Sequence, residues 1–243
     1  MSARDFYHTS TLSNPTRAQI LAGEAIKINP ALVTLVDGQL EKQPLRELQA
    51  GIHAQVSALL DHKVRTFHID INYPEYGGFG GNGPEINTMV FTPAFVAELN
   101  KLVQTADAYL NLHLLTTFPH KRLRAYENTG VGAVCFQLDA VPDRGALIEL
   151  MARITEMSAV PSPVIETVGT ENLPPKPPDQ VFDFLKPVLS QVGMLTFQAA
   201  GTGSRSNLPG GSFSLDALEK YIAPFKATFK GTIQVQGGIT TET

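Results

Sequence analysis

The chain has 243 residues, of which 43% are hydrophobic and 17% charged, as is typical of a soluble globular protein with a sizeable core. Its formal charge of −4 gives no basic field for binding nucleic acid. No apolar run approaches the roughly 20 residues that a membrane-spanning helix needs. We therefore expect neither nucleic acid nor a membrane as a partner.

The compartment that we expect is the cytoplasm. Residues 1–5 lack the apolar core of a signal peptide. The single cysteine, Cys135, cannot form an internal disulfide, which suits a reducing environment. Because it lies in an apolar run, we interpret it as a buried, inert thiol.

Short apolar segments alternate with amphipathic segments from about residue 26 onward, whereas residues 1–25 are mostly polar and are interpreted as an N-terminal extension. The predicted strands are 26–33, 66–71, 109–115, 133–138, 163–168, 194–198 and 232–236. The predicted helices are 45–61, 93–104, 119–128, 143–157, 180–188 and 215–227. The chain is thus expected to form one β/α domain over residues 1–243.

Such alternation requires a parallel sheet, either open and doubly wound or closed into a (β/α)₈ TIM barrel. Polar residues at many strand ends favour the barrel, whose active sites collect there. They are Asp70, His113, Asp139, Glu166, Gln198 and Gln236. A barrel needs an eighth strand, and the sequence ends soon after the seventh, so we expect that the last βα units are missing from it.

The strand around Phe67–Ile71 carries two groups that could bind a metal. Side chains alternate along a strand, so His68 and Asp70 are expected on one face. His113 lies on the next predicted strand. Two imidazoles and a carboxylate form a credible site for a divalent metal, although each histidine alone would more commonly be a core residue.

Several motifs in this chain resemble, in order and spacing, those of the ribulose-phosphate 3-epimerase family. They are residues 26–32, the His68-Ile69-Asp70 strand, and residues 90–99, 111–114 and 233–239. The resemblance implies a (β/α)₈ barrel of the ribulose-phosphate-binding type with one divalent metal ion, usually zinc or iron(II). It also implies an isomerase of carbohydrate metabolism that inverts a carbon next to the ketone of a pentulose 5-phosphate in pentose phosphate chemistry.

The family holds its metal with two histidines and two aspartates, and the aspartates also transfer protons. His68, Asp70 and His113 fall on three of these positions, which would make Asp70 both ligand and acid/base. The fourth position is Gln236, whose oxygen can still donate a lone pair but whose amide cannot take up a proton at neutral pH. This departure leaves one proton carrier. Asp139 and Glu166 are the available substitutes, although either could equally be a helix cap or an exposed loop residue.

Three functions are compatible with this pattern. The first is a metal-dependent sugar-phosphate epimerase or isomerase with altered activity. The second is a catalytically silent barrel that binds a sugar phosphate as a sensor or partner protein, which the replacement at Gln236 motivates. The third is a metal aldolase or hydrolase, because one barrel fold hosts many reactions.

The family also binds phosphate with glycine-rich backbone after its sixth and seventh strands. The resemblance implies that Gly210, Gly211 and Ser212, together with Gly237 and Gly238, contact the phosphate of a phosphorylated ketose. On glycine content alone, residues 200–213 could equally form a flexible surface loop. The sequence does not decide the oligomeric state, and a homo-oligomer is compatible with it.

Overall fold

The computed structural model describes residues 30–32, 42–76, 88–168, 174–199 and 214–237. The helices are α1 (Leu45–Asp61), α2 (Pro93–Gln104), α3 (Pro119–Leu123), α4 (Arg144–Glu156), α5 (Pro178–Leu185) and α6 (Leu215–Lys226). The strands are β1 (Thr66–Asn72), β2 (Tyr109–Leu115), β3 (Ala133–Gln137), β4 (Val160–Glu166), β5 (Met194–Gln198) and β6 (Thr232–Gln236). At least one α-helix lies between each strand and the next.

The six strands form one parallel sheet in the consecutive order β1 to β6. Ala31 makes a parallel bridge with His68, so the segment 30–32 lies beside β1, as expected for the first predicted strand. An open doubly wound sheet would reverse its strand order at a switch point, and this sheet does not. The arrangement is that of a partial TIM barrel, which confirms the predicted fold class.

The two faces of the strands have different surroundings. Ile69 and Ile71 are fully buried in the main apolar core, to which the helices also contribute. Helix α1, for example, buries one side chain in every turn: Leu48, Ile52, Val56 and Leu60. Burying each such side chain is worth about 1.5–3 kcal/mol. His68 and Asp70 therefore project from the opposite, inner face.

Three helices begin at side chains that cap free backbone N–H groups. Thr92 Oγ1 accepts from the backbone of Phe95, Asp143 from Ala146 and Ser214 from Ala217. Such a cap contributes about 1 kcal/mol and places the helix start directly after a βα loop.

Strand β4 begins at Val160, whereas the sequence predicts a start at residue 163. The prediction is wrong because Pro161 and Pro163 do not prevent pairing with β3. In a parallel strand, alternate residues hydrogen-bond to opposite neighbours. Val160 donates to Gly132 on the β3 side at 2.9 Å, while pairing with β5 starts only at Val164. Pro161 and Pro163 face the β5 side, where β4 is not yet paired, so no hydrogen bond is lost by their missing N–H groups.

Two predicted helices also have different ends. Helix α3 stops at Leu123 and continues as the 3₁₀ turn Arg124–Tyr126. Helix α5 stops at Leu185 and is followed by the 3₁₀ segment Lys186–Gln191. Pro187 explains the second change, because it has no N–H to continue the α-helical pattern.

Two expected features lie outside the described residues: the N-terminal extension 1–25 and the segment 200–213. None of the helices described here is both long and apolar enough to cross a membrane.

Candidate metal centre

The centre of the candidate site is the carboxylate of Asp70. Its Oδ1 atom lies 2.9 Å from Nε2 of His68 and 2.9 Å from Nδ1 of His113. The register of the parallel sheet pairs Asp70 directly with His113, and both side chains project from the inner face. His68 precedes Asp70 by two residues and shares that face. The structure thus brings the three predicted residues together.

These groups are shielded from solvent: the side chains of His68, His113 and Asp70 are 5%, 1% and 15% exposed. Burial alone would raise the pKa of the Asp70 carboxyl, but the neighbouring His68 and His113 rings outweigh burial and hold this pKa far below its usual value. Burial lowers the pKa of His113, against the opposing effect of Asp70. An ionised carboxylate and a neutral imidazole are the forms that bind metal.

The donor set fits a divalent transition metal. One ligand atom from each of the three residues can be chosen so that all lie within 4.8 Å of one another. Two imidazole nitrogens with one carboxylate oxygen suit zinc or iron(II), and three protein ligands leave a position open for a substrate. His68, Asp70 and His113 therefore form a possible metal-binding group.

Gln236, the residue at the fourth position, faces this group with its amide. Its Nε2 atom lies 3.3 Å from Nδ1 of His113 and 3.3 Å from Oε1 of Gln198. Its Oε1 atom is buried and has no hydrogen-bond partner within the described ranges. Gln198 also accepts from Gln137, and Gln137 donates to Glu166 at 2.8 Å.

The two substitute carboxylates have different surroundings. Asp139 lies in a 3₁₀ turn after β3, where its carboxylate is 42% exposed and pairs with Lys176 at 2.7 Å. Glu166 ends β4, is buried, and accepts from Gln137 and from the hydroxyl of Tyr76. Glu166 is therefore the interior carboxylate, connected to His113 through the glutamines.

A polar layer below the site was not predicted. Asn111 donates to Gln234 at 2.9 Å and accepts from the thiol of Cys135, and Ser162 and Thr196 hydroxyls lie 2.8 Å apart. The signal was present in the sequence, because each of these residues lies two or four positions before a polar residue at or near the carboxyl end of its own strand. Gln137, the last residue of β3, could have been found in the same way.

The residues predicted to bind phosphate can be followed only in part. Gly237 follows β6 directly with φ of 87°, a left-handed conformation that glycine adopts readily. Gly210, Gly211, Ser212 and Gly238 lie outside the described residues.

Comparison with known proteins gives a similarity in fold. No protein-family model matches the chain, and neither does any curated protein. A chain of tryptophan synthase from M. tuberculosis, in an open form with BRD0059 bound, aligns with 91% of this chain and 87% of its own length, at 11% identity and a TM-score of 0.50. A chain of the tryptophan synthase complex from Pyrococcus furiosus aligns with 88% of this chain and 79% of its own length, at 14% identity and the same score.

A sugar phosphate isomerase/epimerase from Parabacteroides distasonis aligns with 91% of this chain and 92% of its own, at 11% identity and a TM-score of 0.42. We draw no inference from a score this low. At these identities the tryptophan synthase matches show the TIM-barrel type of fold alone. The chemistry of the site has to be argued from its own residues.

Proposed function

We propose that this protein is a metal-dependent sugar-phosphate isomerase or epimerase that transfers a proton at a carbon next to a ketone. The observation that carries the proposal is the position of Asp70 Oδ1, 2.9 Å from a ring nitrogen of each of two histidines on neighbouring parallel strands. Asp70 and His113 both lie in the carboxyl-terminal halves of their strands. Catalytic groups of barrel enzymes collect at this end of the sheet. The family resemblance in the sequence supports the same chemistry.

His68, Asp70 and His113 would hold the ion, with zinc or iron(II) as the proposed metals. The ion would supply Lewis acidity that stabilises negative charge on the sugar oxygens. Both histidines are almost inaccessible to solvent, so bulk water would be excluded from their side of the metal site.

Asp70 would act as the base in the proposed reaction. Its carboxylate would take the proton from the carbon next to the carbonyl, the C–H electron pair would form the carbon–carbon double bond of an enediolate, and the carbonyl π electrons would move onto the oxygen as negative charge. Gln236 cannot return a proton from the opposite face at neutral pH. We therefore favour proton transfer on one face of the substrate, which is sufficient for isomerisation between ketose and aldose but not for epimerisation.

The substrate that we propose is a phosphorylated ketose. Gly237, with Gly210, Gly211, Ser212 and Gly238, would bind its phosphate through backbone N–H groups. A reducing cytoplasm is the proposed compartment, in keeping with the free, buried Cys135.

Solvent exchange tests the proposed reaction. The zinc-loaded protein is incubated in D₂O with ribulose 5-phosphate, and deuterium at the carbon next to the ketone is measured by NMR. We expect incorporation with the natural chain and none with Asp70→Asn. Exposed Asp61 provides the matched control, because Asp61→Asn should exchange at the natural rate.

A second candidate is a catalytically silent protein that binds a sugar phosphate. Gln236 favours it, because the second proton carrier is absent from this position. Saturable binding of ribulose 5-phosphate without deuterium incorporation would support this candidate over the enzyme. Exchange that depends on Asp70 would exclude it.

A further inference from the structure

Four side chains form a hydrogen-bonded line across the carboxyl ends of β3 to β6. It runs from Glu166 through Gln137 and Gln198 to Gln236, and its end lies 3.3 Å from Nδ1 of His113. We propose that Glu166 is a positioning residue that sets the direction of these three amides and thereby keeps the oxygen of Gln236 out of the metal's ligand set. The statement about the metal rests on the proposed function, whereas the amide direction does not.

The direction starts at Glu166 because two groups donate hydrogen bonds to its Oε1 atom. This atom lies 2.8 Å from the side-chain amide of Gln137 and 3.4 Å from the hydroxyl of Tyr76. The atom of Gln137 that faces Glu166 is therefore its nitrogen, and an oxygen in that place would meet a second acceptor.

The orientation of the Gln137 amide also determines the orientations of the Gln198 and Gln236 amides. Nε2 of Gln137 also lies 3.3 Å from Gln198, so Gln198 turns its oxygen to it. That oxygen accepts a second N–H, from Nε2 of Gln236, again at 3.3 Å. This Nε2 atom is also the one next to His113, so Gln236 turns an N–H group, and not its oxygen, towards the candidate metal site.

An amide N–H group has no lone pair with which to bind a metal ion. For its oxygen to face His113 and Asp70, Gln236 would have to reverse its amide, which would set its oxygen against the oxygen of Gln198. If all three amides were reversed, the oxygen of Gln137 would face the carboxylate of Glu166, and two acceptors would again meet. Of the residues that the structure describes, His68, Asp70 and His113 would thus hold the metal, and Gln236 would leave the position of a fourth ligand free for the substrate.

The direction of the Gln236 amide is measurable in the chelator-treated 243-residue chain. We expect a nuclear Overhauser effect between the side-chain NH₂ protons of Gln236 and the ring protons of His113. Glu166→Gln should weaken it by at least about half, because a carboxamide can present either an oxygen or an N–H group to Gln137. Glu127→Gln, which removes a carboxylate that pairs with Arg153 outside the site, is the matched control and should leave it unchanged.

The amide direction is refuted if the natural chain lacks this effect, and the role of Glu166 is refuted if the Glu166→Gln signal equals that of the natural chain. A second variant covers a failure of Glu166→Gln to fold. Gln236→Leu should bind zinc within about threefold of the natural affinity, whereas a loss beyond about tenfold would make Gln236 a ligand. Absence of zinc binding by the natural chain would contradict the proposed metal function, and the amide direction would still be decided by the NMR result.

Discussion

Oδ1 of Asp70 and Nδ1 of His113 lie 2.9 Å apart, although the residues are 43 positions apart in the sequence. The contact exists because β1 and β2 run parallel in a register that pairs the two residues directly. A shift of the register by one residue would put Leu112 or Leu114 opposite Asp70 and turn the imidazole to the other face. The candidate site therefore depends on the packing that fixes this register.

Replacing His113 should weaken metal binding at the proposed site. We expect His113→Ala to weaken zinc binding by at least about 100-fold, because two protein ligands hold the ion far less firmly than three. His62→Ala is the matched control, since His62 is exposed at the end of α1 and should leave the affinity unchanged. Isothermal titration calorimetry measures both. Equal affinity in His113→Ala and the natural chain would exclude this site.

The ionised state of Asp70 should make stability depend on pH. Its folded-state pKa is depressed, so its contribution is fully present above the unfolded value, near 3.8, and is lost as the pH falls below that value towards the folded one. The loss of unfolding free energy in Asp70→Asn should thus be about 1 kcal/mol smaller at pH 3 than at pH 7. Urea unfolding in the presence of chelator measures it, and an equal loss at both values would contradict the pKa assignment.

The interior hydroxyl pair should contribute to stability. Thr196→Val leaves the buried hydroxyl of Ser162 without its 2.8 Å partner, which should cost about 1–3 kcal/mol of unfolding free energy. Thr105→Val at an exposed position, where the hydroxyl bonds only to the backbone of Leu102, should cost much less. Urea unfolding of both variants provides the comparison. Equal costs would show that the interior pair is not structurally important.

Cys135 should be chemically inert in the folded protein. Its thiol is fully buried, and burial raises its pKa to about 11, so thiolate is scarce at neutral pH. We expect a colorimetric disulfide reagent at pH 8 to label it only as fast as the chain unfolds, and within seconds in concentrated urea. Rapid labelling of the folded chain would contradict its placement.

Most of the fold follows from local patterns in the sequence. The bounds of α1, α2, β2, β5 and β6 are predicted correctly, because caps, prolines and apolar periodicity agree there. Strand β4 is the exception: its start depends on which neighbour each proline faces, and that is a property of the assembled sheet. Local sequence contains no information of this kind.

The candidate site, like the fold, could be predicted only in part from the sequence. His68, Asp70 and His113 could be predicted because strand parity and a neighbouring strand are enough to bring them together. The residues of the glutamine line could be located at strand ends, but their contacts could not be predicted, because amides give no charge pattern and each contact joins residues at least 29 positions apart. Their direction depends on Glu166, which is identifiable as an anchor only after the strands are assembled.

The most direct test of the proposed metal centre is a crystal structure of the zinc-loaded protein with anomalous diffraction measured at the zinc edge. We predict one anomalous peak at about 2.0–2.3 Å from ring nitrogens of His68 and His113 and from an oxygen of Asp70. A fully loaded crystal with no peak there, and with both rings still hydrogen-bonded to Asp70, would contradict the account.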